Sequence, residues 1–122
     1  MTSIKRRLAA GGTSIGGWLT TSSDEVAEIM ASTGGYDWLA VDMEHGSAGI
    51  KEALAAFRAA KPHGVDGLAR LPSADPYLAR RLLDGGAAGI LVPVVESAEA
   101  FAAFAAHCLY PPRGRRCDRR FA

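Results

Sequence analysis

Four short apolar runs recur along this chain at intervals of about 20 to 30 residues, each followed by a stretch of helical period. The runs are IGGWLT at 15–20, YDWLAVDME at 36–44, GLARL at 67–71 and GILVPVV at 89–95. Between and after them lie SSDEVAEIMAST (22–33), SAGIKEALAAFRAAKP (47–62), SADPYLARRLLDGG (73–86) and SAEAFAAFAAHCLY (97–110). Their starts carry the Ser and Asp residues that cap helices, and Pro76 falls in a first turn, where proline is tolerated. A further short helix, ended by glycine, is expected in SIKRRLAAGG at 3–12. Strand, helix and strand in alternation specify an α/β protein with a parallel sheet. Two architectures meet that description. A doubly wound sheet of four or five strands would be complete at this length, whereas a (β/α)8 barrel needs about 250 residues. Periodicity does not choose between them.

Composition narrows the classes of partner. A formal net charge of +1 over 122 residues gives no global attraction to nucleic acid or anionic membrane. No apolar run reaches the roughly 18 residues of a membrane span, and the N-terminus lacks the apolar core of a secretory signal. The expected location is therefore the cytoplasm, with Cys108 and Cys117 as reduced thiols, although a disulfide between them is possible. Arginine is concentrated in RGRRCDRR. Residues 113–122 read as an irregular Arg-rich tail, and a phosphate patch is disfavoured because no aromatic residues are interleaved.

In either architecture, chemistry collects at the C-terminal ends of parallel strands. The first run ends at Trp18 and Thr20, the second at Asp42, Glu44 and His45, the third at Arg70, the fourth at Pro93 and Glu96. Asp42 and Glu44, two apart on a continuing strand, would point the same way and call for a cation, either a metal or Arg70. Ser47 is the natural cap of the helix that follows. His45 is placed to exchange a proton near neutral pH. Arg70 interrupts an apolar strand and needs an anion, from a substrate or from an internal acid. Asp84 closes a helix, where the dipole disfavours a carboxylate, so it is either solvated or partnered elsewhere, for example by a histidine. Trp18 is either core or a lid over a small flat substrate. His63, in a loop, and His107, in a helix, have no such company and read as structural or surface residues.

GGWL, YDWLAVDMEHG, LARL, LLDGGAAGILVPVVESAEA and YPPRGRR together resemble the HpcH/HpaI aldolase family, class II pyruvate-type aldolases, over residues 10–116. The resemblance implies that the chain is the N-terminal half of a (β/α)8 barrel, with about four βα units present. It also implies reversible cleavage of 4-hydroxy-2-oxo acids to pyruvate and an aldehyde, with a divalent metal (Mg²⁺, Mn²⁺ or a similar ion) and a homo-oligomer, commonly a hexamer. By the same resemblance His45 matches the base at the C4 hydroxyl, and Asp84 the carboxylate that orients it, from this or a neighbouring subunit. Arg70 matches the cation on the keto oxygen, Asp42 and Glu44 acids near the metal and its waters, and Trp18 an aromatic beside the substrate. The family's direct metal ligands, a Glu and an Asp, belong to the later units, so no direct ligand is expected in this chain. CDRRFA after YPPRGRR departs from the family pattern, which gives the tail another reading, a truncated or frame-changed end without a selected role. The alternative function is a catalytically inactive half-barrel that associates with itself.

Overall fold

The computed structural model describes residues 3–117. The elements run in the order α1 (Ile4–Ala9), β1 (Gly16–Leu19), α2 (Asp24–Ser32), β2 (Trp38–Asp42), α3 (Ile50–Ala60), a 3-10 turn (Lys61–His63), β3 (Asp66–Arg70), α4 (Pro76–Asp84), β4 (Gly89–Leu91) and α5 (Ala98–Cys108). Helix starts follow the capping chemistry of the sequence. Ser23 accepts from the Val26 N–H at 3.2 Å, Asp75 from the Tyr77 N–H at 2.8 Å, and Ser97 from the Ala100 N–H at 3.1 Å. Ser47 does not cap α3. The N-cap is Gly49, whose N–H donates to the Glu52 carboxylate at 3.0 Å.

All four strands are parallel, and their spatial order is their chain order, β1-β2-β3-β4. That order decides the architecture. A doubly wound sheet reverses its strand order partway, which places helices on both faces. Successive right-handed crossovers in one direction put every helix on the same face and curl the sheet, as in a barrel. The chain is thus an α/β half-barrel of four βα units.

The registers show which side chains face the helices. Leu19, Val41, Ala69 and Ile90 form one row across the sheet. They pack with Ala27 and Ala31 of α2, Ala53, Ala56, Phe57 and Ala60 of α3, Ala79 and Leu82 of α4, and Phe104 of α5. Alanines at these positions let the helices lie close to the strands. Each fully buried leucine, Leu39 and Leu82 among them, contributes about 2 to 3 kcal/mol of transfer free energy. The alternate row, Trp18, Ala40, Leu68 and Gly89, faces the concave side. Asp42 and Arg70 are register partners at the C-terminal end of that same side. At the other end α1 is tied down, with the Ile4 N–H donating to Asp66 at 2.8 Å and Arg7 paired with Asp37.

Two elements are shorter than the apolar runs suggest. β2 stops at Asp42, so Glu44 lies in a turn and not on a continuing strand. β4 stops at Leu91. Pro93 lacks an N–H for the ladder, and Val94 turns to φ 50°, a conformation few β-branched residues adopt. Cys108 and Cys117 are not disulfide-bonded. Among the described residues no helix is long and apolar enough to cross a membrane.

Candidate active site

The turn after β2 builds the site. The Met43 N–H donates to the Arg70 carbonyl at 2.9 Å, and the Ser47 N–H to the Thr20 carbonyl at 3.2 Å, so the turn is stitched to the ends of β3 and β1. A Cβ on Gly46 would collide with the carbonyl oxygens of Asp42 and Thr20, so the backbone passes there only because residue 46 is glycine.

Asp42 organises this turn and is 2% exposed. Its Oδ1 accepts from the Glu44 N–H, the His45 N–H and the Arg70 Nε–H, each at 3.0 Å. Its Oδ2 accepts from Arg70 Nη2 at 2.5 Å and from Trp18 Nε1 at 3.1 Å. Five donors thus converge on one carboxylate, two of them from a fork-shaped guanidinium. The Arg70 hydrogen bonds, outweighing the cost of burial and aided by the His45, Trp18 and Glu44 donors, hold the Asp42 carboxyl far below the usual carboxylate range. Asp42 in turn raises Arg70, which stays charged.

Glu44 sits between two other groups. Its Oε2 lies 3.3 Å from Arg70 Nη1, and its Oε1 lies 3.7 Å from His45 Nε2. The His45 side chain is 71% exposed. The Trp18 ring lies 5.2 Å from the Arg70 guanidinium carbon, within cation–π range, and forms one wall. Trp18 is therefore neither core nor free lid, since its N–H holds Asp42 and its face holds Arg70. The rim gathers guanidinium, two carboxylates, an imidazole and an indole from three strand ends. The fourth strand end stays out of it, as Glu96 lines an apolar recess with Val92, Val94, Phe101 and Phe104.

Asp84 lies elsewhere. It closes α4, just before the segment in which the Ala88 N–H donates to the Gly67 carbonyl near the start of β3. Its partner is Arg116 Nη2 at 2.6 Å, and it lines a groove with Ile50, Leu54, Arg81 and Gly85. Within one chain it is not brought to His45. Arg116, within the segment read as an irregular Arg-rich tail, is 11% exposed; residues 118–122 lie outside the described residues. The sequence reading gave no role to Arg116, and the signal available for it was the YPPRGRR segment itself.

The described residues do not make a metal site. Among the described residues no group of three or more His, Cys, Asp and Glu side chains is placed to hold an ion. Asp42 has its acceptors filled by five N–H donors and would have to release Arg70 to become a ligand. Glu44 is the one rim carboxylate with acceptor capacity to spare.

A one-sided parallel βα sheet with its polar groups gathered on the C-terminal rim defines part of a (β/α)-barrel protein. Residues 14–120 match the HpcH/HpaI aldolase/citrate lyase family, and the chain belongs to it. It is 44% identical over 113 residues to a hydroxypyruvate/pyruvate aldolase of Sagittula stellata, an alignment covering 93% of this chain and 44% of that protein. It superimposes on the crystal structure of an HpcH/HpaI aldolase from Desulfitobacterium hafniense with a TM-score of 0.88 at 34% identity, covering 97% of this chain and 46% of the other. The citrate synthase SbnG aligns with a TM-score of 0.89 at 27% identity, covering 97% of this chain and 48% of that one. The chain therefore spans about half the length of the relatives it matches.

Proposed function

We propose that this chain forms the N-terminal half of an aldolase that cleaves 4-hydroxy-2-oxo acids to pyruvate and an aldehyde, and joins them in reverse. The observation that carries the reading is Glu44 lying between Arg70 and His45, which places a cation and a base on one carboxylate at the strand ends. In the cleavage direction, His45 takes the proton of the C4 hydroxyl and the C3–C4 bond breaks. Its electron pair passes into the C2–C3 bond, and negative charge develops on the keto oxygen. The Arg70 guanidinium, held rigid by Asp42 and Trp18, faces that charge without having to reorganise. The aldehyde leaves, and the imidazolium returns its proton through water to the enolate carbon, giving pyruvate and restoring the base. Asp84 orients His45 from a second subunit, which makes the working form an oligomer. Fold alone does not select this chemistry, since a citrate synthase shares the architecture.

The charge balance tells what the half-barrel lacks. Asp42 and Glu44 oppose a single Arg70, a surplus of one negative charge. An anionic 2-oxo acid needs more positive charge than these residues supply, so the missing part comes from beyond the four units. The test assays the chain with a 4-hydroxy-2-oxo acid and Mn²⁺, alone and mixed with the separately expressed C-terminal half of the Sagittula stellata relative. Turnover is expected only in the mixture, with loss of about 100-fold in His45→Ala, the scale of a general base. Robust turnover by the chain alone, or a mixture indifferent to His45→Ala, overturns the reading.

A second reading, a self-associating half-barrel, is favoured by where the exposed apolar side chains lie. Ile15, Trp18, Val26 and Ile29 flank β1, and Val94, Val95 and Phe101 flank β4, whereas among the described residues none falls between 38 and 71. Both open flanks are therefore built to be covered.

A further inference from the structure

The segment YPPRGRR at 110–116 takes no part in the rim, yet it folds back tightly on the end of α5. The Gly114 N–H donates to the Tyr110 carbonyl at 3.0 Å, the Arg115 N–H to the Ala106 carbonyl at 2.6 Å, and the Arg116 N–H to the Leu109 carbonyl at 2.9 Å. A Cβ at Gly114 would run into the carbonyl oxygens of Leu109 and Ala106, so this approach needs glycine. The fold-back lays the Arg116 guanidinium 4.6 Å from the centre of the Tyr110 ring and brings it to Asp84, 32 residues earlier in the chain.

The form of that contact is informative. An ion pair built for strength uses the bidentate fork, as Arg70 does on Asp42. Arg116 instead touches Asp84 Oδ1 with Nη2 alone, and its own Nε–H is buried with no hydrogen-bond partner among the described residues. Among the described residues nothing bonds to Asp84 Oδ2. One carboxylate oxygen is held and, among the described residues, the other has no hydrogen bond, in the lining of the groove that Asp84 shares with Ile50, Leu54, Arg81 and Gly85.

We infer that Arg116 is a positioning residue, which with Tyr110 as its backing plate fixes the Asp84 carboxylate so that Oδ2 faces an N–H donor arriving in this groove from a second copy of the chain. The inference rests on the aldolase reading, in which that donor is the imidazole of His45. It gives the YPPRGRR segment a function: it carries the guanidinium that sets the angle of a carboxylate on another helix.

Two measurements test it. On the chain itself, three-bond couplings by nuclear magnetic resonance report the Asp84 χ1 rotamer. A single rotamer is expected in the wild type, rotamer averaging in Arg116→Gln, and substantial recovery in Arg116→Lys. In the active two-half assembly, Arg116→Gln should lower kcat by about tenfold with KM unchanged, the sign of an interaction used in the transition state. Asp84→Asn with Arg116→Gln should be no slower than Asp84→Asn alone. A single Asp84 rotamer in Arg116→Gln overturns the inference. So does a kcat within twofold of wild type in Arg116→Gln when Asp84→Asn is slowed about tenfold. An assembly inactive even as wild type removes the aldolase reading instead, and the rotamer result then decides alone whether Arg116 orients Asp84.

Discussion

Asp42 is the residue on which the site turns, and its behaviour follows from its bonds. Its folded carboxyl titrates far below the roughly 3.9 of an unfolded aspartate. Between those two values the unfolded chain binds more protons than the folded one, so stability rises with pH. The contribution is present above about pH 4 and is lost as pH falls toward the folded value. Asp42→Asn leaves Arg70 with a weakened partner and should cost about 3 kcal/mol at pH 7 in urea denaturation. The variant should also lose less stability than the wild type between pH 5 and 3. Equal acid sensitivity in the two proteins would mean that another carboxylate controls the low-pH transition. The cluster itself was legible in the sequence, because Asp42, Glu44, His45 and Arg70 interrupt or end apolar strands where only chemistry or pairing explains them. How the partners divide was not. Which oxygen takes which donor depends on a turn whose geometry no periodicity reveals.

At the scale of elements, β2 and its turn show why boundaries were harder to read than rhythm. YDWLAVDME has the character of one continuous strand, but the Asp42 carboxylate binds the N–H groups of Glu44 and His45 and bends the chain at once. Ser47 looked like the cap, yet the turn needs residues 43–48 to cross between β1 and β3, and the cap falls on Gly49, with the helix beginning at Ile50. Likewise, the Asp84–Arg116 contact joins residues 32 apart through the packing of α4 beside α5. No local pattern announces it. Gly46→Ala tests the turn directly. Its methyl would press on two backbone carbonyls, and the expected cost is about 2 kcal/mol in urea denaturation. Together with displacement of His45, it should reduce turnover of the two-half assembly more than it reduces substrate affinity. An alanine variant as stable and active as wild type would show that the turn is looser than the Asp42 bonds imply.

For the whole molecule, the alternation of strands and helices was enough to specify a parallel α/β protein, while the choice between doubly wound sheet and half-barrel was not. Strand order settles that choice, and order is a property of how crossovers pack. The resemblance of the motifs pointed to the barrel, and the one-directional sheet agrees with it. A half-barrel with exposed apolar side chains at both flanks and, among the described residues, none between 38 and 71 should not stay alone in solution. Sedimentation of the chain should show self-association that the complementary half-barrel suppresses; a clean monomer at high concentration would count against covered flanks. The proposed function depends on the rigid Arg70 fork, set by Asp42, facing the oxygen of a 2-oxo acid. Its most direct measurement is the kcat/KM of the two-half assembly for a 4-hydroxy-2-oxo acid with Arg70→Lys, a change that keeps the charge and removes the fork. A fall of about 100-fold in a variant that folds normally is the predicted result, and turnover within twofold of wild type would contradict it.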